Sequence, residues 1–548
     1  MKRFFFLVLF LVAISAFCQS YESRQTTESP ALVVGIVVDQ MRFDYLSKFY
    51  PNFSEGGFKR LMTTGAFFKN HHINYVPTVT AAGHASIYTG CGPGVHGIIG
   101  NAWYDRTTGE KIYCVHNDQV NPVGTTSPSG RKSPLHLQVS TISDQLKLAT
   151  QNKSKVISIA LKDRAAILSG GFKADASYWF QAKTYGKWIT SSYYQEKLPK
   201  WVLEFNERKN INSYLKAWEP LYPLATYLNT TTSHNAFERG FIGKNTKDFP
   251  YAIDSLAATN QFYSILRGTP HGNTMTFDFV KKAIQEEALG KDSVVDFLML
   301  SCSATDYIGH NFGVDSVELE DTYYRLDKDL ADFLQYLDKE VGKGRYLLFL
   351  TSDHGAGHVS GYLRSQKIPA SYFKQATYRN ALSAYLKKKY QIEKPVLSIT
   401  NQQIYLNTKE FVQKKLELKD IRKEVAFWLR KKPGIEQVFT KEQIENRKFY
   451  NGMHSKIKQG YHSKRSGDIV YVLPSYSVAY SRTGSAHGSG YTYDSHIPLL
   501  FYGSLVSPKI YDTPSYATDV ATTLAALLGI ALPDGATGEV LPVTENLK

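Results

Sequence analysis

The chain has 548 residues, of which 43% are hydrophobic and 21% charged, so it is long and apolar enough to bury a large core. The formal net charge is +15, but Lys and Arg are spread along the whole chain in short groups such as YLKKKY and WLRKKP. A nucleic-acid-binding protein more often gathers its cations beside a recognisable motif, and the sequence has none. Composition therefore argues against a disordered chain and against specific nucleic-acid binding.

The N-terminal stretch MKRFFFLVLFLVAISAFC has the pattern of an export signal. It combines a positive start, about a dozen apolar residues and small residues at cleavage-site spacing. We predict a signal peptide at 1–18, cleaved before Gln19, and a periplasmic or secreted mature chain. The apolar stretch is short for a bilayer span, and no later stretch is long enough for one. The mature chain keeps an odd number of cysteines, so at most one disulfide is expected among Cys91, Cys114 and Cys302.

Continuous apolar runs predict buried strands at 33–38, 155–161, 293–306, 346–350 and 496–503. Helical patterns lie between these runs at 54–65, 318–342 and 517–530. Strands that alternate with helices and are apolar throughout are typical of a parallel sheet covered on both faces. The sequence therefore predicts an α/β fold with a mostly parallel central sheet.

Two regions break this alternation. Residues 165–290, approximately, are rich in Tyr, Trp, Asn and Lys, and we predict that they decorate the substrate side. Residues 365–480, approximately, have the pattern of a separate α+β module that leaves the chain after Gly355 and returns before GSAHGSG. We predict one catalytic domain over 19–548 with this module inserted as a cap. The oligomeric state cannot be read from these patterns.

Six acids and histidines lie at the ends of predicted strands or in loops beside them. They are Asp39, Asp306, His310, Asp353, His354 and His487. The carboxyl ends of parallel strands meet at one edge of a sheet, so we expect these side chains to converge. Mixed Asp/His ligation suits Zn²⁺ with three protein ligands per ion. Six ligands would hold two ions, the arrangement that clamps the attacking and leaving oxygens of an in-line displacement.

A candidate nucleophile lies in PTVTAAGHASIYTG, residues 77–90. Small residues after Thr80 allow a helix to begin there, and the unpaired amides of a helix N-terminus stabilise anions. A threonine oxygen in that position can attack phosphorus when it is activated by a metal. Thr78 competes for this role, and sequence spacing does not separate the two. A simple helix cap at Thr80 is the structural alternative.

Seven motifs occur in one order along the chain: VVDQMR, PTVTAAGHASIYTG, GIIGNAWYD, LKDRAAI, TDYIGH, TSDHG and AHGSG. This set resembles the alkaline phosphatase superfamily, and more narrowly its PafA-type secreted members with a Thr nucleophile. The resemblance extends over residues 33–490, and TGEVL at 537–541 also fits. It implies an alkaline-phosphatase-like fold and a hydrolase of small phosphate monoesters with a broad substrate range.

The resemblance also implies a role for each site residue. One zinc would be held by Asp39, Asp353, His354 and Thr80, and the other by Asp306, His310 and His487. Thr80 precedes His84 by four residues, as the nucleophile does in the family, and this favours Thr80 over Thr78. The reaction would pass through a phosphothreonine. Lys162 implies a positive charge where a third ion sits in the magnesium-dependent branch, so no required Mg²⁺ is expected.

Three further residues are implied as phosphoryl ligands: Asn101, Lys162 and Arg164. A monoester dianion has one more negative oxygen than a diester, and two cations would neutralise it. The related nucleotide pyrophosphatase/phosphodiesterase group resembles this chain at the Thr, Asn and zinc positions but lacks those cations. A monoesterase is therefore predicted, with a phosphodiesterase on the same scaffold as the alternative.

Two other readings are weaker. CGPGV at 91–95 superficially resembles the sulfatase signal for formylglycine, but Val95 stands where that signal needs Arg. A secreted protein that only binds phosphate or metal would be expected to have lost a ligand, and all six are present.

Overall fold

The structure is a computed structural model that describes residues 29–544, apart from 184, 230–235, 449–450 and 480–481. The predicted signal peptide lies outside the described residues. The strands, numbered in chain order, are β1 Leu32–Val38, β2 Ala66–Phe68, β3 His71–His72, β4 Ala102–Tyr104, β5 Lys111–Tyr113, β6 Pro122–Val123, β7 Val156–Ala160, β8 Ala176–Gln181, β9 Lys187–Ser191, β10 Asp296–Cys302, β11 Tyr346–Thr351, β12 Ser371–Tyr372, β13 Val396–Thr400, β14 Gln403–Leu406, β15 Gln437–Thr440, β16 Ile469–Val472, β17 Ser477–Val478, β18 Leu499–Gly503, β19 Lys509–Tyr511 and β20 Ser515–Tyr516.

The α-helices have the bounds Asp44–Lys48, Phe58–Thr64, Thr80–Thr89, Pro93–His96, Ile142–Ala149, Asp163–Gly170, Lys200–Phe205, Arg208–Asn212, Ile253–Leu256, His271–Glu286, Ala304–Phe312, Val317–Leu337, Ser360–Ser365, Gln375–Tyr390, Thr408–Gln413, Leu418–Arg430, Lys441–Asn446, Gly452–Gly460, Thr492–Ser495 and Asp519–Leu528. No helix among the described residues is long and apolar enough to cross a bilayer.

Ten of the described strands form one sheet in the order β19-β2-β18-β11-β1-β10-β7-β8-β9-β6. The five central strands, from β11 to β8, run parallel to one another. Every residue of β1 is buried, as expected for a strand covered on both faces. The predicted α/β fold with a mostly parallel sheet is confirmed.

Helices cover both faces of this sheet. Val34 and Ile36 of β1 belong to one hydrophobic cluster, which includes residues of the helices 271–286 and 317–337. Val33 and Val37 belong to a second cluster, which includes residues of the helices 80–89 and 519–528. Successive side chains of a strand point to opposite faces, so one apolar strand fills two cores.

The strand predicted at 496–503 differs from its neighbours in direction. It forms as β18, Leu499–Gly503, and pairs antiparallel with β11. The amino end of β18 therefore lies at the same sheet edge as the carboxyl ends of the parallel strands. This direction is what allows His487, which precedes β18, to reach that edge.

The region predicted to decorate the substrate side, 165–290, contains two strands of the main sheet. Its strands β8 and β9 extend the sheet beyond β7. The residues after β9 are bonded to buried carboxylates of the helix 317–337. Trp218 Nε1 donates to Asp321 Oδ2 at 2.7 Å, and Tyr251 OH donates to Glu318 Oε1 at 2.7 Å. Only the later part of this region therefore lies outside the sheet.

The residues of the predicted cap have a sheet and a core of their own. The sheet is β13-β14-β16-β15, and its strand pairs are antiparallel. The core includes Leu382, Ile404 and Leu429, which belong to a cluster separate from those of the main sheet. We use the name cap module for residues 365–479 as far as they are described.

Arg465 fastens the cap module to the segment before Asn101. Its Nη1 donates to the carbonyl oxygens of Gly97 and His136 at 2.6 and 2.7 Å, and its guanidinium lies 5.2 Å from the centre of the Trp103 ring. Hydrogen bonds from a charged group contribute about 1.5–3 kcal/mol each. Specific contacts therefore join the cap module to the segments that contain Gly97, Trp103 and His136.

We expect Arg465→Ala to lower the free energy of unfolding by about 3 kcal/mol, because both carbonyls lose a charged donor. Thermal unfolding followed by circular dichroism measures the change. The matched control is Lys464→Ala, at the exposed neighbouring position. Equal unfolding midpoints for the two variants would show that Arg465 does not fasten the module.

The three cysteines among the described residues, Cys91, Cys114 and Cys302, are all buried and all free. The single disulfide that the sequence allowed is not formed in this structure.

Candidate active site

Strand ends and one helix bring the six predicted ligands to the same edge of the sheet. Asp39 directly follows β1, and Asp353 and His354 follow β11. Asp306 was predicted to end a strand, but this prediction is wrong because β10 stops at Cys302. It lies in the first turn of the helix 304–312, and His310 follows one turn later on the same face.

Three of the ligands form a fully buried group: Asp39, Asp353 and His354. The ligand atoms of the group lie within 4.8 Å of one another. His354 Nε2 is 3.6 Å from both Asp39 Oδ1 and Asp353 Oδ2. Among the described residues, none of these three atoms has a hydrogen-bond partner. Buried polar atoms without partners are costly, and a cation at their centre would satisfy all three.

The other three form the second group: Asp306, His310 and His487. Asp306 Oδ1 is 3.3 Å from His310 Nε2 and 3.5 Å from His487 Nε2. The two imidazole Nε2 atoms are 3.3 Å apart. The groups adjoin, because the rings of His354 and His487 stack at 3.7 Å.

The three histidines share one hydrogen-bond pattern. Each Nδ1 is bonded to a backbone carbonyl oxygen: Gly355 O for His354, Ser485 O for His310 and Thr78 O for His487. A carbonyl only accepts, so each Nδ1 carries the proton and each Nε2 of a neutral ring keeps its lone pair. This is how metal-ligating histidines are oriented in proteins. Both groups therefore fit a divalent metal ion.

The pKa values of Asp39 and Asp306 are shifted in opposite directions. Burial and the neighbouring Asp353 raise the pKa of Asp39 well above its usual range, although Lys162 acts against this rise. Burial also opposes ionisation of Asp306, but His310 and Lys162 hold its pKa well below its usual range. Burial lowers the pKa of His354 to about 3, which keeps the ring neutral. Such shifts are typical of functional sites.

Lys162 lies between the two groups. Its Nζ is 2.6 Å from Asp39 Oδ2 and 2.6 Å from Asp306 Oδ2, and its side chain is 1% exposed. Burial lowers its pKa, but these two carboxylates outweigh that effect and raise it to about 12. The ammonium is therefore a fixed positive charge at the centre of the site.

Thr80 is the first residue of the helix 80–89, and its hydroxyl faces two cations. Its Oγ1 is 3.3 Å from Lys162 Nζ and 3.4 Å from Arg164 Nη2. The helix packs closely on the end of β11, since a Cβ on Gly83 would lie 2.4 Å from Asp353 O. Thr78 has a different role, because its hydroxyl donates to Ser489 O at 2.7 Å.

Asn101 is tied to the same helix. Its Oδ1 accepts a hydrogen bond from the Ala81 N–H at 2.9 Å. With the carbonyl end of the amide occupied, the NH₂ end is the one left to donate to an anion beside Thr80. The structure thus brings together all the site residues predicted from the sequence.

Sequence reasoning missed two supporting residues. Gln40 donates from Nε2 to Asp306 Oδ1 at 2.7 Å and from its backbone N–H to Asp353 Oδ1 at 3.2 Å, so it links the two groups. Its place directly after Asp39 at a strand end was the available signal. Tyr113 lies 3.4 Å from Arg164 Nη1 and donates to Asp163 Oδ1 at 2.5 Å. It comes from a hairpin about fifty residues away, and no local pattern points to it.

A family comparison agrees with this geometry. The model of the type I phosphodiesterase / nucleotide pyrophosphatase family matches residues 33–495, which include every site residue described above. The chain therefore belongs to this family of the alkaline phosphatase superfamily, as a member of the PafA type.

Individual relatives match over almost the whole chain. Alkaline phosphatase PafA of Elizabethkingia meningoseptica is 44% identical, and the match covers 94% of each chain. A protein of Myroides odoratus named calcium-transporting ATPase is 43% identical, with 96% of each chain covered. The crystal structure of wild-type PafA superposes with a TM-score of 0.90, at 43% identity, over 94% of this chain and 99% of that chain.

Proposed function

We propose that this protein is an alkaline phosphatase that hydrolyses phosphate monoesters to an alcohol and inorganic phosphate, with Thr80 as nucleophile. The observation that carries the proposal is the position of the Thr80 hydroxyl, 3.3 and 3.4 Å from the cations of Lys162 and Arg164. Lys162 also contacts one carboxylate of each candidate metal group. The relative named alkaline phosphatase, 44% identical, supports the same reaction.

We further propose two zinc ions per chain, without a required magnesium ion. Asp39, Asp353, His354 and Thr80 would hold one, and Asp306, His310 and His487 the other. Aspartate and histidine donors in groups of three suit zinc and leave a position open. Bound there, the ions would polarise the phosphoryl group and lower the pKa of a hydroxyl group or a water molecule.

The chain's own residues account for substrate binding. Lys162 and Arg164 each provide a charged donor for phosphoryl oxygens, and Asn101 provides the NH₂ group of its amide. The N-terminus of the helix 80–89 adds the favourable end of a helix dipole. The Thr80 oxygen attacks phosphorus in line, the alcohol leaves, and a phosphothreonine forms. A water molecule then cleaves the phosphothreonine and releases inorganic phosphate.

Two cations beside the nucleophile favour a monoester over a diester. A monoester carries an additional negative oxygen, and donors in a buried site act strongly on such a charge. Lys162 and Arg164 would have one phosphoryl oxygen fewer to neutralise in a diester. This geometry therefore favours a phosphomonoesterase over a phosphodiesterase.

The test of this function is phosphate release by the purified mature protein from p-nitrophenyl phosphate and from ATP. ATP is included because of the name of the Myroides relative. We expect hydrolysis of both, since recognition centres on the terminal phosphoryl group, with ATP the slower substrate because ADP leaves as an anion. Hydrolysis of ATP without hydrolysis of p-nitrophenyl phosphate would contradict the proposal.

Removal of metal is expected to affect both activity and stability. Exhaustive dialysis against a chelator should abolish hydrolysis and lower the unfolding midpoint, because Asp39 and Asp353 are left buried side by side. A ligand present at a thousand times its Kd stabilises a protein by about 4 kcal/mol. Elemental analysis should find two zinc ions per chain, and zinc alone should restore the activity. Restoration only by magnesium would contradict the assignment.

Export and the domain limits stay predictions. N-terminal sequencing of the protein from the periplasm or medium of the producing cell is expected to begin at Gln19.

A further inference from the structure

We propose that a cleft between the cap module and the loop 486–489, which contains His487, binds the leaving group of the substrate, and that it selects alcohols without negative charge. This inference rests on the proposed function and deepens it. The cleft has a volume of about 300 Å³ and begins beside the nucleophile, at Val79 and His487. Its far wall comes from the cap module, with Gln375, Thr400 and Gln402.

In-line chemistry directs the alcohol toward this cleft. In phosphoryl transfer the attacking and leaving oxygens lie on opposite sides of phosphorus. Thr80 belongs, in the proposed arrangement, with the Asp39–Asp353–His354 group. The leaving oxygen therefore departs toward the Asp306–His310–His487 group, where the cleft begins at His487 and continues past Gly488. The organic part of the substrate, which is attached to the leaving oxygen, would therefore extend into this cleft.

The cleft is held in a fixed shape rather than closed by a moving lid. Asn401, in the turn between β13 and β14, donates from Nδ2 to Ala102 O at 2.9 Å, next to the phosphoryl ligand Asn101. Tyr471 N–H donates to Gln402 O at 3.0 Å. Tyr493, which lines the cleft outside the cap module, stacks on Tyr476 of the cap module with ring centres 4.4 Å apart. A preformed cleft binds small ligands without a large ordering cost.

The lining of the cleft indicates what it accepts. Amide and hydroxyl side chains offer hydrogen bonds, and Tyr471 and Leu473 offer apolar contact. No Lys or Arg is present among the described residues that line it. Its one carboxylate, Asp494, is 1% exposed and accepts from Ser489 N and Ser489 Oγ at 2.8 and 2.6 Å. Asp494 is thus bonded to Ser489 rather than open to the cleft, and an alcohol with a negative charge would find no cationic side chain in the described lining to pair with.

The proposal predicts discrimination between two esters that differ in one group. Glycerol 2-phosphate carries a CH₂OH group where 2-phosphoglycerate carries a carboxylate. The phosphoryl group is the same in both, so a change of their kcat/KM ratio between the wild type and a cleft variant isolates the leaving-group site. We expect the kcat/KM ratio to favour glycerol 2-phosphate by about five-fold or more, the effect of one unpaired charge at a partly exposed site.

A charge placed in the cleft should reverse this preference. Thr400 is half-buried at the end of β13, and Thr400→Lys would add a cation to the wall. We expect the ratio to shift toward 2-phosphoglycerate by about three- to five-fold. Thr400→Met is the matched neutral control and should shift the ratio by less than about two-fold. Ser477→Lys adds a cation at a second position of the same lining, and it tests the same shift if Thr400→Lys does not fold.

Inorganic phosphate serves as the internal reference, because it has no leaving group. Its inhibition constant should change by less than about two-fold in each variant, which shows that the phosphoryl site is intact. An unchanged ester ratio in both lysine variants, with normal phosphate inhibition, would overturn the leaving-group site and leave the proposed function standing. Absence of phosphate release by the wild-type protein from both esters and from p-nitrophenyl phosphate would overturn the proposed function, and the site with it.

Discussion

Replacement of Thr80 by alanine is expected to lower kcat/KM for p-nitrophenyl phosphate by about 10⁴-fold or more, the loss typical of a removed nucleophile. The hydroxyl faces Lys162 Nζ and Arg164 Nη2, so alanine would keep both cations but leave no oxygen to attack phosphorus. Steady-state hydrolysis of p-nitrophenyl phosphate measures the change. Thr80→Ser, which keeps a hydroxyl, should retain most of the activity.

Thr78 provides the matched control for this substitution. It lies two residues earlier, and sequence spacing alone did not distinguish it from Thr80. Its hydroxyl is already bonded to Ser489 O, and the atom that holds His487 is its backbone carbonyl, which alanine keeps. Thr78→Ala should therefore cost far less activity than Thr80→Ala. The reverse order of losses would make Thr78 the nucleophile.

Replacement of Lys162 by alanine is expected to cost monoester hydrolysis about 100- to 1,000-fold, as removal of a preorganised charged donor does. Hydrolysis of bis-p-nitrophenyl phosphate should fall much less, by about 10-fold or under, because a diester has one negative oxygen fewer to neutralise. Comparison of kcat/KM for the two esters measures this difference. Equal losses would reject the assigned role of Lys162.

Lys162 also contacts Asp39 and Asp306, so its removal could act through the metal groups. Two controls separate these effects. Arg164→Ala removes the other cation, whose guanidinium contacts Tyr113 OH and Thr80 Oγ1, and should show the same monoester-specific loss. Metal content measured on each variant identifies any loss of zinc. Lys153→Ala, at an exposed position, should leave both activities unchanged.

The central strands and helices could be predicted from the sequence, because their apolar runs are long and continuous. The runs at 33–38 and 346–350 form strands within one residue of the predicted limits. Long-range pairing is not encoded in such local patterns. The antiparallel direction of β18 and the membership of β8 and β9 in the main sheet therefore appear only in the structure.

The same limit applies to the site. Strand-end placement found Asp39, Asp353 and His354 directly, and the four-residue spacing of Asp306 and His310 is that of one helical turn. Contacts between distant segments were not predictable. Tyr113 beside Arg164 and Asn401 beside Asn101 depend on how a hairpin and the cap module pack, which no local pattern shows.

The most direct test of the central claim compares p-nitrophenyl phosphate with bis-p-nitrophenyl phosphate as substrates of the wild-type mature protein, loaded with two zinc ions. We expect kcat/KM for the monoester to exceed that for the diester by about 100-fold or more, the contribution of the two cations beside Thr80. A preference for the diester by the same two-zinc protein would contradict it, and would leave the fold and the metal groups in place while moving the enzyme to the phosphodiesterases.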